Sequence, residues 1–127
     1  MIFIDSSYLI ALSIKSDKNN QRAKELKPYL NEKRVINEIV LTETLNTFSK
    51  RCNVNTKNIY KLLDKTNEII FLEKEDYLDA MDICNYYNNA INFSDCIILN
   101  TMQKLQINKI ASFDKGFDKI NTISRIH

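Results

Sequence analysis

Four acidic residues occupy positions where a carboxylate is unusual. Asp5 follows the apolar run Ile2–Ile4, and Asp114 follows the segment "KIASF". Asp95 lies in line with apolar residues of a late segment whose pattern is helical, and Glu43 belongs to a helical segment in mid-chain. Because burying an unpaired carboxylate is costly, each of these acids must reach water, cap a helix or have a partner.

Each acid also has an ordinary structural explanation. Asp5 fits the N-cap of a following helix, a position that Asp favours. Asp95 fits the first turn of its helix, where negative charge complements the helix dipole. Asp114 fits a turn that contains Gly116. Glu43 fits a solvated helix face, because it lies on the side of its helix opposite the apolar residues. One turn earlier, however, the side chains on the side of Glu43 are apolar too.

Asp118 is an alternative to Asp114, from which it is separated by four residues. Asp114 is preferred because it directly follows the predicted strand, whereas Asp118 lies beyond the predicted turn. Gly116 would give the backbone freedom to swing between the two positions.

A cleft shared by these carboxylates would require a cation. Two like charges about 4 Å apart repel each other by about 4 kcal/mol at an effective dielectric of about 20. The single histidine is His127, and the three cysteines lack the close spacing of a zinc-binding pair. Histidine-based acid–base catalysis and multi-histidine metal sites are therefore excluded, and oxygen ligands favour Mg²⁺ or Mn²⁺.

The composition is that of one ordinary globular domain. The chain has 127 residues, of which 44% are hydrophobic and 27% charged, and its formal net charge is +2. We expect a single domain over residues 1–127, a cytoplasmic location and no membrane span, since no apolar run approaches about 20 residues. The mildly basic balance permits a nucleic acid as partner without requiring one.

Short apolar segments alternate with helical ones along the whole chain. The predicted strands are "MIFID", "RVIN", "EIIFLE", "KIASF" and "TISRI", and amphipathic segments separate most of them. This alternation predicts an α/β three-layer sandwich, with a mostly parallel central sheet of about five short strands flanked by helices. Ligands of open parallel sheets bind beyond the carboxyl ends of the strands, which is where Asp5 falls.

The order of the four acids resembles that of the PIN-domain nucleases, and most of all the toxin ribonucleases of the VapC type. The stretches that carry the resemblance are "FIDSSYLIAL", "IVLTETLN", "NFSDCIIL" and "ASFDKGF", from residue 3 to at least Phe117. None of these stretches is specific alone, but their joint order and spacing are. Two departures, Ser6–Ser7 in the first stretch and Cys96 after Asp95, remove no acid.

The resemblance implies a metal-dependent ribonuclease whose acidic cluster is Asp5, Glu43, Asp95 and Asp114. By this likeness, Asp5 and Asp95 bind Mg²⁺ or Mn²⁺ directly, while the other two acids complete the shell or hold its waters. Ser7 and Ser112 fall where the family has small polar residues that support the site. The weaker candidates for contact with the RNA substrate are the basic residues Lys50, Arg51 and Lys115.

The same resemblance implies partners. A VapC-type toxin has a small protein antitoxin and is expected to form a homodimer, for which Tyr60, Leu62 and Leu63 are candidate contacts. A housekeeping PIN nuclease of RNA processing and an inactive PIN-like binding module remain as alternatives. Phosphotransferases of the haloacid-dehalogenase type would need a second Asp at position 7, which is Ser, and receiver domains would need paired early acids and a late Lys after a strand.

Overall fold

The computed structural model describes all 127 residues, and its five strands are short and mostly apolar. The strands are β1 (Ile2–Ile4), β2 (Arg34–Asn37), β3 (Glu68–Ile70), β4 (Lys109–Ala111) and β5 (Ser124–Ile126). They form one sheet in the order β3-β2-β1-β4-β5, and every neighbouring pair is parallel. All three residues of the central strand β1 are buried, as expected for a parallel strand covered on both faces.

Six α-helices flank this sheet. They are α1 (Ser6–Ser13), α2 (Asn20–Leu26), α3 (Glu38–Cys52), α4 (Thr56–Thr66), α5 (Lys74–Tyr86) and α6 (Phe93–Lys104). Two short 3₁₀ helices, Lys27–Tyr29 and Lys115–Lys119, complete the fold, and Pro28 opens the first of them. The predicted three-layer α/β architecture with a parallel central sheet is therefore confirmed.

The carboxyl ends of β1 and β4 lie side by side. The backbone N–H of Asp5 donates to the carbonyl of Ala111, the last residue of β4, over 3.1 Å. The predicted strand "KIASF" is too long, because β4 ends at Ala111 and the chain turns away through Ser112 and Phe113. Asp114 consequently precedes the second 3₁₀ helix as its N-cap and does not directly follow the strand.

Asp76 is buried, although an acid in the first turn of a helix ordinarily faces solvent. Its side chain is buried between α5 and α6, where it accepts hydrogen bonds from Asn100 Nδ2 (3.1 Å) and Lys104 Nζ (2.5 Å). It also accepts from the backbone N–H of Glu73, and the hydrogen bonds from Glu73 and Lys104 hold its pKa below the ordinary value. On the same helix, Tyr77 and Met81 are exposed.

The candidate dimer contacts on α4 divide into two groups. Tyr60 and Leu62 are exposed, but Leu63 is buried in the hydrophobic core and is not available for contact with a second chain. Leu63 lies on the face of α4 that it shares with the buried Ile59, one helical turn away.

None of the helices combines the length and the apolar character that a crossing of a membrane requires.

Candidate active site

Asp5 is held by two serine hydroxyls, and its carboxylate caps no helix. Although Asp5 occupies the N-cap position of α1, its side chain makes no capping hydrogen bond. Its Oδ2 atom accepts from Ser7 Oγ (2.5 Å) and from Ser112 Oγ (2.7 Å). Burial raises the pKa of Asp5, and the serine hydrogen bonds oppose that rise. The capping explanation therefore does not account for this carboxylate.

The serines also fix the backbone that leads to Asp114. Ser7 Oγ accepts from the N–H of Phe113 (3.0 Å), and Ser112 Oγ accepts from the N–H of Asp114 (3.0 Å). The ring of Phe113 stacks on that of Tyr8, with centroids 6.3 Å apart. The start of α1 and the segment after β4 are thus joined by side chains at the end of the sheet.

Asp95 is buried without a compensating partner. The residue is 8% exposed in the first turn of α6, and its carboxylate accepts no hydrogen bond and forms no ion pair. The pKa of Asp95 is raised to about 7, mostly by burial and in smaller part by the negative charges of three nearby carboxylates. These carboxylates are Asp114, Asp5 and Glu43. The four predicted acids therefore lie close enough for the charges of three of them to act on the fourth, Asp95.

Glu43 belongs to α3, and its charge acts on Asp95. Its Oε2 atom accepts a hydrogen bond from Ser6 Oγ (2.7 Å), so that Ser6, a residue outside the predicted site, links the start of α1 to α3. Glu43 is only partly exposed, so it does not lie on a fully solvated helix face. The position of the Ser6 hydroxyl directly after Asp5 in the sequence was the one feature that could have indicated a role for Ser6 at the site.

A buried asparagine fixes the start of α3 relative to α6. Asn37 is fully buried, and its Oδ1 atom caps α3 by accepting from the N–H of Val40 (3.2 Å). Its Nδ2 atom donates to Thr101 Oγ1 on α6 (3.0 Å). Because α3 carries Glu43 and α6 carries Asp95, this bond links the two helices that present those acids.

Gly116 lies directly beside the carboxylates of Asp95 and Asp114. Its N–H donates to Asp114 Oδ1 (2.8 Å). A Cβ atom built on Gly116 would lie 3.1 Å from Asp114 Oδ1 and 3.7 Å from Asp95 Oδ2. The φ angle of Gly116 lies outside the left-handed region, so the predicted use of glycine's backbone freedom does not apply here.

Asp118 is engaged elsewhere. Both of its carboxylate oxygens accept from the guanidinium of Arg125 on β5, from Nε and from Nη2, each over 2.7 Å. The Arg125 hydrogen bonds hold the pKa of Asp118 below its ordinary value. Arg125 also donates through Nη1 to the carbonyl of Ser112 (3.2 Å). Of the two rival acids, only Asp114 acts on the charge of Asp95.

The three basic candidates lie at different distances from the four acids. Lys115 is exposed and directly follows Asp114. Lys50 and Arg51 end α3 about two helical turns beyond Glu43, which corresponds to roughly 10 Å along the helix axis. Arg51 donates to Ser16 Oγ over 3.4 Å. Only Lys115 is therefore adjacent to the acids.

The acids do not form a ready-made metal cage. No three acidic, cysteine or histidine side chains of the chain converge closely enough to bind an ion as they stand. Their donor set still fits a hard divalent cation, because Mg²⁺ keeps several waters and needs only one or two carboxylates from the protein. The absence of any cationic side chain paired with the four acids agrees with this fit.

Comparison with known proteins decides the family. The model of the PIN domain matches residues 2–123, nearly the whole chain. The chain belongs to the PIN-domain family. All four acids of this PIN domain, and the two serines bound to Asp5, lie within the matched residues.

Individual relatives agree with this assignment. Ribonuclease VapC6 of Methanocaldococcus jannaschii is 29% identical over 151 aligned positions, which cover 98% of this chain and 95% of that protein. VapC20 of Mycobacterium tuberculosis, described as a sarcin-ricin loop cleaving toxin, superposes with a TM-score of 0.83 at 19% identity, covering 95% of each chain. A toxin–antitoxin complex from Klebsiella pneumoniae gives a TM-score of 0.76 at 18% identity, covering 98% of this chain and 96% of that one. At these identities the two structures show a shared fold.

Proposed function

We propose that this PIN domain is a metal-dependent ribonuclease and the toxin of a toxin–antitoxin pair. The observation that carries the proposal is the buried carboxylate of Asp95, which faces three other carboxylates and has no hydrogen-bond donor or cation of its own. The name of the VapC6 relative supports ribonuclease activity, and the antitoxin of the Klebsiella pneumoniae complex supports a small protein partner.

Asp5 and Asp95 would hold Mg²⁺ or Mn²⁺ directly, with Glu43 and Asp114 completing the shell or holding its waters. When bound, such an ion neutralises phosphate charge and lowers the pKa of a bound water. The chain's own contribution is to present the carboxylates: Ser7 and Ser112 orient Asp5, and the first turn of α6 presents Asp95. No side chain is required as a covalent nucleophile.

Substrate contact is assigned first to Lys115, because it adjoins Asp114 and is exposed. Lys50 and Arg51 would contact a longer RNA farther along α3. Each phosphate contact makes binding salt-dependent, with the slope of log affinity against log salt falling by about 0.7 per contact on single strands. A homodimer through Tyr60 and Leu62 belongs to the same proposal, since both side chains are exposed.

The test of the ribonuclease uses protein freed from any partner. We expect single-stranded or looped RNA to be cleaved with Mg²⁺ or Mn²⁺, and cleavage to stop in EDTA and in Asp95→Asn. Asp82→Asn is the matched control, because Asp82 is exposed on α5 and the substitution removes the same charge outside the acidic cluster. Undiminished cleavage in EDTA would overturn the metal mechanism.

The test of the toxin role is separate. Induced expression of the chain alone is expected to arrest the growth of a bacterial host, whereas Asp95→Asn expressed at the same level is not. Arrest should be relieved by co-expression of a small protein encoded beside the natural gene. An RNA-cleaving protein that leaves growth unaffected would favour a housekeeping nuclease.

A further inference from the structure

Gly116 is the only glycine of the chain, and the backbone does not explain it. Its φ angle lies in the range open to any residue, so no turn requires a glycine there. It lies within the 3₁₀ helix Lys115–Lys119, where glycine costs conformational entropy on folding. The reason for a glycine must therefore be sought in the space that a side chain would fill.

That space is bordered by the two acids. Apart from its two chain neighbours and the backbone of its own 3₁₀ helix, the three heavy atoms nearest to a Cβ on Gly116 are Oδ1 and Cγ of Asp114 and Oδ2 of Asp95. No backbone atom and no core side chain is among them. A methyl group would thus touch the Asp95 oxygen at ordinary contact distance and would press against Asp114 Oδ1 at 3.1 Å.

The size of a hydrated ion gives this space a use. Adjacent oxygens around Mg²⁺ lie roughly 3 Å apart, since the Mg–O bonds of about 2.0–2.1 Å meet at right angles. The volume that a Cβ on residue 116 would take lies near both Asp95 Oδ2 and Asp114 Oδ1, so a water held by an ion between these acids would find room there. A methyl group in that volume offers no hydrogen bond to the water it displaces.

The geometry points to Gly116 as the residue that keeps room between Asp95 and Asp114 for a hydrated divalent cation. This inference rests on the proposed function and deepens it, because it assigns a steric requirement to a residue that donates no side-chain ligand. It predicts that any side chain at position 116 weakens the binding of the ion in proportion to its volume.

The experiment compares wild type with Gly116→Ala and Gly116→Val in melting curves recorded in EDTA and along a Mn²⁺ titration. In EDTA, Gly116→Ala should melt close to wild type, because the restriction of the unfolded chain by alanine offsets the tight contact of its Cβ with Asp114 Oδ1. The Mn²⁺ concentration for half-maximal stabilisation should rise about tenfold in Gly116→Ala and more in Gly116→Val. Cleavage by Gly116→Ala should recover at high Mn²⁺. The control is Asn121→Ala, an exposed turn position just beyond the same 3₁₀ helix.

Each outcome separates the two proposals. If wild type gains no stability from Mn²⁺, the metal mechanism itself is overturned. If wild type and Gly116→Ala respond to Mn²⁺ equally, the steric role of Gly116 is overturned while the metal mechanism stands. If Gly116→Ala melts well below wild type in EDTA, the glycine serves the fold and the inference is wrong.

Discussion

Arg125 and Asp118 form a two-pronged ion pair in which Nε and Nη2 each donate to a separate carboxylate oxygen over 2.7 Å. The guanidinium is almost wholly buried, with its side chain 6% exposed. Its third contact is the carbonyl of Ser112, whose hydroxyl donates to Asp5. The pair therefore anchors the 3₁₀ helix Lys115–Lys119 to β5, and Asp114 lies at the start of that helix.

This relationship predicts different effects of two isosteric changes. Asp114→Asn should lower the initial rate of RNA cleavage by about tenfold or more, because it removes a carboxylate from the cluster. Asp118→Asn keeps the cluster and should lower the rate less than threefold, but it should lower the melting temperature, because Arg125 loses its charged partner. The two rates are measured on one RNA at one Mn²⁺ concentration. Equal rates, or a larger loss in Asp118→Asn, would contradict the assignment of Asp114.

Asp5→Asn should abolish cleavage without weakening the metal-free fold. The Asp5 side chain makes no capping hydrogen bond, so the substitution removes none. It also removes a buried negative charge, which is unfavourable because burial raises the pKa of Asp5. The variant should melt no lower than wild type in EDTA.

Wild type should then gain stability on addition of Mn²⁺, since the ion binds only the folded site, whereas Asp5→Asn should gain much less. Melting curves with and without Mn²⁺ measure both effects. A variant that melts well below wild type in EDTA and responds to Mn²⁺ as wild type does would make Asp5 a structural residue.

The raised pKa of Asp95 predicts a pH dependence of stability. The folded-state pKa of about 7 exceeds the ordinary value of 3.8, so the folded state binds this proton more tightly than the unfolded state. The stabilisation is complete below about pH 4 and is lost as the pH rises through 7. Asp95→Asn cannot titrate there, so in EDTA it should melt above wild type at pH 8, and this advantage should vanish towards pH 4. An advantage that is constant over this range would contradict the shift.

Ser112→Ala tests the support given to Asp5. The change removes a donor to the buried Asp5 carboxylate and an acceptor for the N–H of Asp114. Loss of a hydrogen bond that orients a metal-binding side chain reduces metal affinity or activity by about 10–100-fold. Cleavage rate and the Mn²⁺ dependence of melting are the readouts. Ser49→Ala, on the exposed side of α3, should leave both unchanged.

The proximity of Asp5 and Asp114 could be predicted from the parallel topology and from the positions of the strand ends. A parallel sheet brings the carboxyl ends of its strands to one edge, so an acid placed just after β1 and another shortly after β4 had to lie near each other. Asp95 was predictable in a different way, since its helical spacing set it on the same face as the buried Ile98, Leu99 and Met102.

The contacts that the sequence did not reveal join residues of different elements. Asp76 has the sequence signature of an acid at a helix start, and its burial depends on Asn100 and Lys104, 24 and 28 residues later. Asp118 resembles Asp114 in its surroundings, and only the position of Arg125 on β5 separates their roles. Patterns of period 2 or 3.6 report which face of an element is apolar, and they carry no information about such pairings.

The hydrogen bond between Asp5 and Ser112 spans 107 residues, nearly the length of the chain. During synthesis on the ribosome, the first acid therefore emerges long before the hydroxyl that orients it, and Arg125 follows later still. A nascent chain that has made α1 to α6 carries three of the four acids but lacks β4, which pairs with the open edge of β1. The acids are thus brought together only when nearly the whole chain has been made, and a chain that stops before β4 lacks both Asp114 and the hydroxyl that orients Asp5.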